Sequence, residues 1–508
     1  MKKSSFRCLL LIISLNALPS VAQQTVKVNL SSTIRPVTHC ASGSLYGMTE
    51  GLPSDIANLV APLKPNVFTQ PALSGSGHQQ GVAAAAIPIS GRLATTTGKI
   101  MIRLSDILPG WPYNWPGQSS FLNSVTSVIN SKKTSGRGNY YGYEIWNEPD
   151  GTWKSASGDF NTVCWKPTYD LIRSSDPQAK IVGPSYSYYN GTSMKAFLTY
   201  CKNNNCLPDV VSWHQWGSGG FSSAVESYRS LETSLGISPR AISINEYSST
   251  THTEEGCPGV SVPFIAKFER KQVESACISW WFTGLPGRLG SLLTSANAKG
   301  GGWWLYYWYG QMTGNMVSVT PPNEYSDGLD GFAAVDATAQ NASICLGGNY
   351  TGAVNVAISG IPSFFGSKVI AKLEYVPWTD KDTPVSGTTT ISTTTYTLSN
   401  GAFTVPVNVT NRYYAYRISL SPATVTDLEE RETETTGMLL SPNPFQSEGL
   451  KISFKGPFHY QITDLKGMVL EEGMGEEVRM VGMQLNAGSY LLSVQDGRGK
   501  YVEKIVRQ

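Results

Sequence analysis

The chain has 508 residues, with 39 Lys and Arg against 37 Asp and Glu, and 41% of its residues are apolar. That length leaves room for about two to four domains, and the near-neutral balance removes any electrostatic reason to seek nucleic acid or an acidic membrane surface. Fifty glycines, 25 tyrosines and only 15% charged residues suit a loop-rich exported protein with a neutral partner rather than a disordered one.

The N-terminus reads as a secretory signal peptide over residues 1–22. Lys2, Lys3 and Arg7 precede an apolar run from Cys8 to Leu18, and Ser20-Val21-Ala22 supplies a small-x-small cleavage site. The run is too short to span a bilayer. Its removal leaves 36 basic against 37 acidic residues, a balance of −1. Seven cysteines then remain, an odd number with no paired CxxC spacing, and Cys201 with Cys206 is the favoured disulfide pair. The five histidines are scattered, so no metal or other cofactor is expected.

From residue 23 to 315, strand-like and helix-like runs alternate. The strands read as Ser44–Glu50, Asn66–Leu73, Lys99–Leu108, the run ending in "YEIWNEPD", Ala179–Ser187, Asp209–Gly217, Ala241–Ser249 and Ala276–Gly284. Helical segments lie between most of them, the first in "SDIANLVAPL" with Ser54 as its N-cap. Short apolar strands rich in Val and Ile are those of a parallel sheet covered on both faces. The repeat therefore predicts an α/β fold, a (β/α)8 TIM barrel, with "GGWWLYYWYG", carrying Trp303, Trp304 and Trp308, as its eighth helix. An open doubly wound sheet would want a GxGxxG after its first strand, which is missing.

From 316 to 422 the texture changes to short alternating runs split by Gly, Pro and Asn, which predicts an attached antiparallel β-sandwich. The early "TVKVNL" is a candidate to join it. A polar linker over 423–436 precedes a small C-terminal β domain over 437–508.

Two carboxylates stand out. Glu148 and Glu246 end the fourth and seventh predicted strands, each directly after an asparagine, Asn147 and Asn245. Barrel enzymes place their chemistry at these strand ends, and two carboxylates across the mouth are what glycoside hydrolysis requires. Glu254 and Glu255 lie close by and compete for the second role. Trp111, Trp115, Trp153 and Trp216 fall in loops at the same end, where they would either stack on sugar rings or pack the loops.

"YEIWNEPD" and "ISINEY" resemble the clan A glycoside hydrolases, and a barrel with an attached β-sandwich is similar to family 39 and family 30 members. The resemblance covers about Ser44 to Gly310. It implies a retaining glycoside hydrolase that cleaves a polysaccharide or oligosaccharide by double displacement without a cofactor, with Glu148 as acid/base and Glu246 as nucleophile. It also implies that Asn147 holds the sugar 2-OH, that His214 is a polar site residue, that Trp281 (or its neighbour Trp280) is the platform under the sugar, and that Arg103 neutralises the nucleophile. The competing readings are a non-catalytic carbohydrate-binding or adhesion protein on a decayed barrel, and a transglycosylase using the same residues. The C-terminal unit, with "SPNPF", "DLKG" and "LNAGSYLLSV", resembles the type IX secretion sorting domain, which implies the type IX secretion machinery as a partner and a secreted or surface-attached protein.

Overall fold

A computed structural model of the chain describes residues 23–72, 85–251, 253–279, 287–423, 439–496 and 499–508. The expected signal peptide, the linker beyond Ala423, and Trp280 and Trp281 lie outside these residues. The first strand, β1 (Gln24–Pro36), stands apart from the eight that follow: β2 (Gly43–Leu45), β3 (Val67–Pro71), β4 (Lys99–Arg103), β5 (Tyr140–Glu144), β6 (Lys180–Tyr186), β7 (Val210–Trp216), β8 (Ala241–Ser248) and β9 (Ser275–Ile278). These eight pair in parallel in chain order, and β2 closes on β9 to make the barrel.

The strands are buried along nearly their whole length, because helices cover the outside while side chains fill the inside. The helix Gln118–Thr134 shows how the outer layer is held. It buries Phe121, Val125, Val128 and Ile129, a stripe at helical spacing that turns toward the strands. Inside, neighbouring strands approach closely at Gly43, where a Cβ would lie 2.3 Å from the Ala276 carbonyl oxygen and 2.4 Å from that of Val67, so no side chain fits. β2 is shorter than the expected Ser44–Glu50 because Tyr46 turns into the left-handed region, φ 51°, and ends it. The first helix also differs from expectation. It is confined to Ile56–Leu59, and Asp55 rather than Ser54 caps it by accepting from the Asn58 N–H at 3.0 Å.

The remaining strands of this unit are β10 (Asn315–Thr320), β11 (Asp330–Asp336), β12 (Asn341–Gly347), β13 (Gly352–Ser359), β14 (Lys368–Val376), β15 (Thr389–Thr397), β16 (Phe403–Val409) and β17 (Ala415–Pro422). They form a nine-stranded sheet in the order β15-β14-β17-β12-β11-β10-β1-β13-β16. β1 therefore belongs to this sheet and not to the barrel span 23–315. Its Val26, Val28 and Leu30 alternate inward and join the sheet's own core, which a barrel strand buried on both faces would not do. Every pairing is antiparallel except that of β1 with β13.

The sheet's other side meets the barrel, and Met316, Phe332, Ala334, Cys345, Val376 and Ala415 share the barrel's core cluster. A buried ion triad locks the two. Asp330 on β11 accepts from Lys267 Nζ at 3.2 Å and from Arg270 Nη2 at 2.6 Å, both on the helix Pro258–Arg270. Burial lowers the Lys267 pKa and the Asp330 charge opposes that fall. The seven described cysteines are all buried and unbonded, Cys201 and Cys206 included. That pair sits in the apolar core as adjacent thiols.

The chain divides into two compact units, Met1–Ala423 and Thr424–Gln508. The second has five strands, β18 (Leu439–Ser441), β19 (Leu450–Thr463), β20 (Val469–Val481), β21 (Gly488–Gln495) and β22 (Lys500–Arg507), around a core of its own that includes Phe445, Ile452, Phe458, Ile462 and Ile505.

Two outcomes follow. Asp330→Asn leaves Lys267 and Arg270 without their counter-charge and is expected to cost about 3–5 kcal/mol, measured by denaturant unfolding. A chain ending at Pro422 is expected to keep the thermal midpoint and specific activity of the full chain, because the second core is built entirely from residues beyond it. A broadened, lowered transition would show instead that the tail supports the first unit.

Candidate active site

The carboxyl ends of the barrel strands bring five side chains together: Tyr46 after β2, Arg103 on β4, Glu148 after β5, His214 on β7 and Glu246 on β8. Glu148 follows a tight exit from its strand. Pro149 closes the right-handed helical region to the residue before it, and Glu148 takes φ 51° and ψ 54° at the head of the short helix Pro149–Thr152. Its backbone N–H donates to the Ser185 carbonyl at 2.9 Å. The Thr152 hydroxyl ties the turn together, accepting from Trp146 Nε1 at 2.9 Å and lying 2.7 Å from the Asn147 carbonyl oxygen.

Behind the turn, Trp146 is packed against Tyr113, Trp115, Phe121 and Trp153, with ring centroids 5.1–5.8 Å apart. Trp115 and Trp153 are thus support for the Trp-Asn-Glu-Pro turn. Trp216 stands edge-on to His214 at 5.8 Å and donates to the Ser187 carbonyl, while Trp111 is exposed. Trp303, Trp304 and Trp308 lie on the helix Gly301–Gly310.

Asn245 and Glu246 are consecutive, and a regular strand would point them to opposite faces. Both nevertheless reach into the barrel. Asn245 Nδ2 donates to Glu144 and, at 3.1 Å, to Ser185 Oγ, while Glu246 meets Arg103 and His214. The register of β8 against β9 shifts between Ile244 and Tyr247, and that bulge re-aims Glu246. Glu254 and Glu255 pair with Arg412 and Lys381 and so hold the loop.

One guanidinium organises the site. Arg103 is 1% exposed, and its Nε donates to Glu144 Oε2 at 3.0 Å. Its Nη1 donates to Glu246 Oε1 at 2.9 Å and to the Tyr46 hydroxyl at 3.0 Å. The Tyr46 hydroxyl donates in turn to Asp106 Oδ2 at 2.6 Å, and Tyr113 donates to Asp106 Oδ1 at 2.8 Å. Burial works against the Arg103 charge, but Glu144, Tyr46, Glu246 and Asp106 together raise its pKa. Burial also lifts Tyr46 and Tyr113 far above their ordinary values, so both phenols stay protonated as donors.

His214 lies between the two glutamates. Its Nδ1 is 3.1 Å from Glu148 Oε1 and its Nε2 is 3.6 Å from Glu246 Oε1. Burial pulls the imidazole down, but the Glu246 charge and the hydrogen bond to Glu148 outweigh it, and the pKa is raised above the usual 6.5. Among the described residues, Glu246 Oε2 and both polar atoms of the Asn147 amide are buried without a partner. Leaving such a group unpaired costs about 1–3 kcal/mol, which a polyhydroxylated ligand would repay.

The structure brings Glu148, Glu246, Asn147, His214 and Arg103 to one end of the barrel; Trp281 lies outside the described residues. It adds Glu144, Tyr46, Asp106, Tyr113 and Asn245, which the sequence reading did not select. Glu144 offered a signal, since a second glutamate sits four residues before Glu148 on an apolar strand. Tyr46 and Asp106 offered none, because only the fold brings them to Arg103.

Residues 440–508 match the secretion system C-terminal sorting domain. The solved structure of N2152 from Neocallimastix frontalis is 50% identical, with a TM-score of 0.77 over 79% of this chain and 100% of that one. Two curated relatives are each 27% identical. One is the 3-O-beta-L-arabinopyranosyl-alpha-L-arabinofuranosidase of Bifidobacterium pseudocatenulatum, matched over 79% of this chain and 48% of its own length. The other is the 3-O-alpha-D-galactosyl-alpha-L-arabinofuranosidase of Bifidobacterium longum subsp. longum, matched over 78% and 41%. The chain spans about half the length of these curated relatives or less.

A pH test follows from His214. Its folded pKa is raised, so its charge stabilises the fold fully below the ordinary value of 6.5 and ceases to do so as the pH rises through the folded value. The gap in thermal midpoint between wild type and His214→Gln is therefore expected to be widest in mild acid and to narrow toward alkaline pH. A gap that widens with pH would mean that the ring is buried neutral.

Proposed function

We propose that this chain is a clan A glycoside hydrolase that hydrolyses an α-L-arabinofuranosidic bond with retention of configuration, Glu246 being the nucleophile and Glu148 the acid/base. The observation that carries the reading is the single buried imidazole lying between the two carboxylates, hydrogen-bonded to Glu148 Oε1 at 3.1 Å and 3.6 Å from Glu246 Oε1, so that both lie beside one ring. A retaining enzyme needs its pair close, about 5–5.5 Å apart, because no water enters between nucleophile and anomeric carbon.

The two carboxylates differ in surroundings in a way that suits different roles. One oxygen of Glu246 accepts from the Arg103 guanidinium, while the other oxygen is unpartnered. That free oxygen attacks the anomeric carbon. Glu148 has His214 as its neighbour, and the proton shared by this pair goes to the departing glycosidic oxygen. A water then enters, Glu148 takes its proton, and the hydroxide releases the sugar from Glu246. The Asn147 amide, unpartnered beside Glu148, is placed to hold the 2-OH, a contact that strengthens in the transition state.

The arabinofuranosyl part of the proposal comes from the two curated relatives, whose names share an α-L-arabinofuranoside substituted at O3. The N-terminal unit holds the whole pair of carboxylates, and the sorting domain marks the chain for secretion, so the substrate would be an extracellular arabinose-containing polysaccharide or an oligosaccharide of it.

An aryl α-L-arabinofuranoside and a 3-O-glycosylated arabinofuranosyl oligosaccharide test this. Glu246→Gln is expected to lose at least about 10⁴-fold in kcat on both. Glu148→Gln is expected to lose about 10²–10⁴-fold on the natural linkage, to retain activity on the aryl glycoside, and to be rescued by azide. Wild-type rates in Glu246→Gln would remove that residue from the mechanism. A wild-type enzyme that turns over xylosides but not arabinofuranosides would overturn the substrate class.

A further inference from the structure

We infer that Glu144 is a positioning residue that shares the Arg103 guanidinium with Glu246 and thereby sets how tightly the nucleophile's charge is held. The inference rests on the role proposed for Glu246. Glu144 is completely buried at the end of β5 and accepts from two groups, Arg103 Nε at 3.0 Å and Asn245 Nδ2. Both donors lead to Glu246. Arg103 reaches it directly through Nη1 at 2.9 Å, and Asn245 is its neighbour on the bulged part of β8.

A carboxylate buried this deeply is costly, and an apolar residue packed against β6 would serve stability equally well. What Glu144 adds is competition. A delocalised guanidinium facing one carboxylate gives it the whole of its attraction; facing two, it divides that attraction, and the like charges raise each other's pKa. The groups facing Glu144 are Arg103 from β4, His214 from β7, Glu246 and Asn245 from β8, and Cys277 from β9. Burial raises the Glu144 carboxyl, and Arg103 opposes that rise without cancelling it. With Glu144 in place, Glu246 shares the Arg103 guanidinium with a second carboxylate. Without it, Glu246 is held by an undivided cation, so it is less basic and less nucleophilic.

Glu144→Gln and Glu144→Asp test this. Arg103 and Asn245 donate to different oxygens of Glu144, Oε2 and Oε1, and a glutamine replaces one of those acceptors with an NH2 group that faces a donor. It also removes the charge. The acid limb of the kcat/KM pH profile, which reports the free nucleophile, is expected to fall by about one pH unit in Glu144→Gln, with a lower kcat and little change in KM. Glu144→Asp keeps the charge but withdraws it, so its limb is expected to fall in the same direction by less. A purely structural residue would change the thermal midpoint and the amount of active enzyme but not the position of the limb. A limb at its wild-type position, or moved upward, in whichever variant folds overturns the inference.

Failure of the proposed function is distinguishable, because it shows as a wild-type enzyme without turnover on any arabinofuranoside. In that event the titration of Glu246 is read without substrate, by carboxyl carbon-13 NMR, with Glu246→Gln used to assign the signal. A midpoint lower in Glu144→Gln than in wild type upholds the inference, and an unchanged midpoint overturns it.

Discussion

A positive charge inside a barrel is tolerable only if the barrel surrounds it with acceptors, and Arg103 is such a charge. Its guanidinium lies among Glu144, Glu246 and the Tyr46 hydroxyl, with Asp106 behind the tyrosine. Removing one partner from such a group costs several kcal/mol, since the charge is left behind. Four separate strand ends are therefore tied to one position. That requirement accounts for local features that would otherwise be unfavourable: the left-handed turn at Tyr46 and the bulge that lets Asn245 and Glu246 both face inward. Several such departures lie where the polar side chains converge, the left-handed Ser185 and the register shift before His214 among them.

The scaffold around the site is built to resist movement. Trp146 is clasped by aromatic rings behind the Trp-Asn-Glu-Pro turn, and Thr152 ties the turn's own carbonyls. On another flank the helix Pro258–Arg270 lies between β8 and the nine-stranded sheet, fixed by the Lys267–Asp330–Arg270 triad. β1 carries the start of the chain into the sheet before the barrel begins, so unfolding the sheet would release both ends of the barrel's chain segment. The sorting domain has its own core and its own strands, consistent with an address that is separate from the chemistry.

The barrel was legible because its signal is repeated: eight short apolar strands recur with helical segments between most of them, and one misread boundary leaves the pattern intact. Glu148 and Glu246 were legible because each pairs an asparagine with a glutamate at a strand end. Arg103 could be named, but its partners could not, since Tyr46 and Asp106 come from different loops and only closure of the barrel brings them together. The bulge in β8 was invisible for a related reason, because nothing in "ISINEY" marks where the pleat breaks. The alternation of Val26, Val28 and Leu30 specifies a half-buried strand without specifying its neighbours, so the sheet that β1 joins does not follow from its sequence. The tryptophans of the mouth admit two readings in the sequence, sugar stacking or loop packing, and Trp115 and Trp153 take the second. Trp115 and Trp153 have the composition of sugar platforms and the position of packing residues.

The proposed double displacement passes through a covalent bond between Glu246 and the sugar, and the most direct measurement looks for it. The Glu148→Gln variant would be mixed with an aryl α-L-arabinofuranoside bearing a strongly activated leaving group, so that the first step outruns the second, then digested and examined by mass spectrometry. A pentosyl adduct on the peptide that contains Glu246 is the expected result. Turnover without any adduct, together with a product of inverted anomeric configuration, would contradict the double displacement and the role of Glu246 in it.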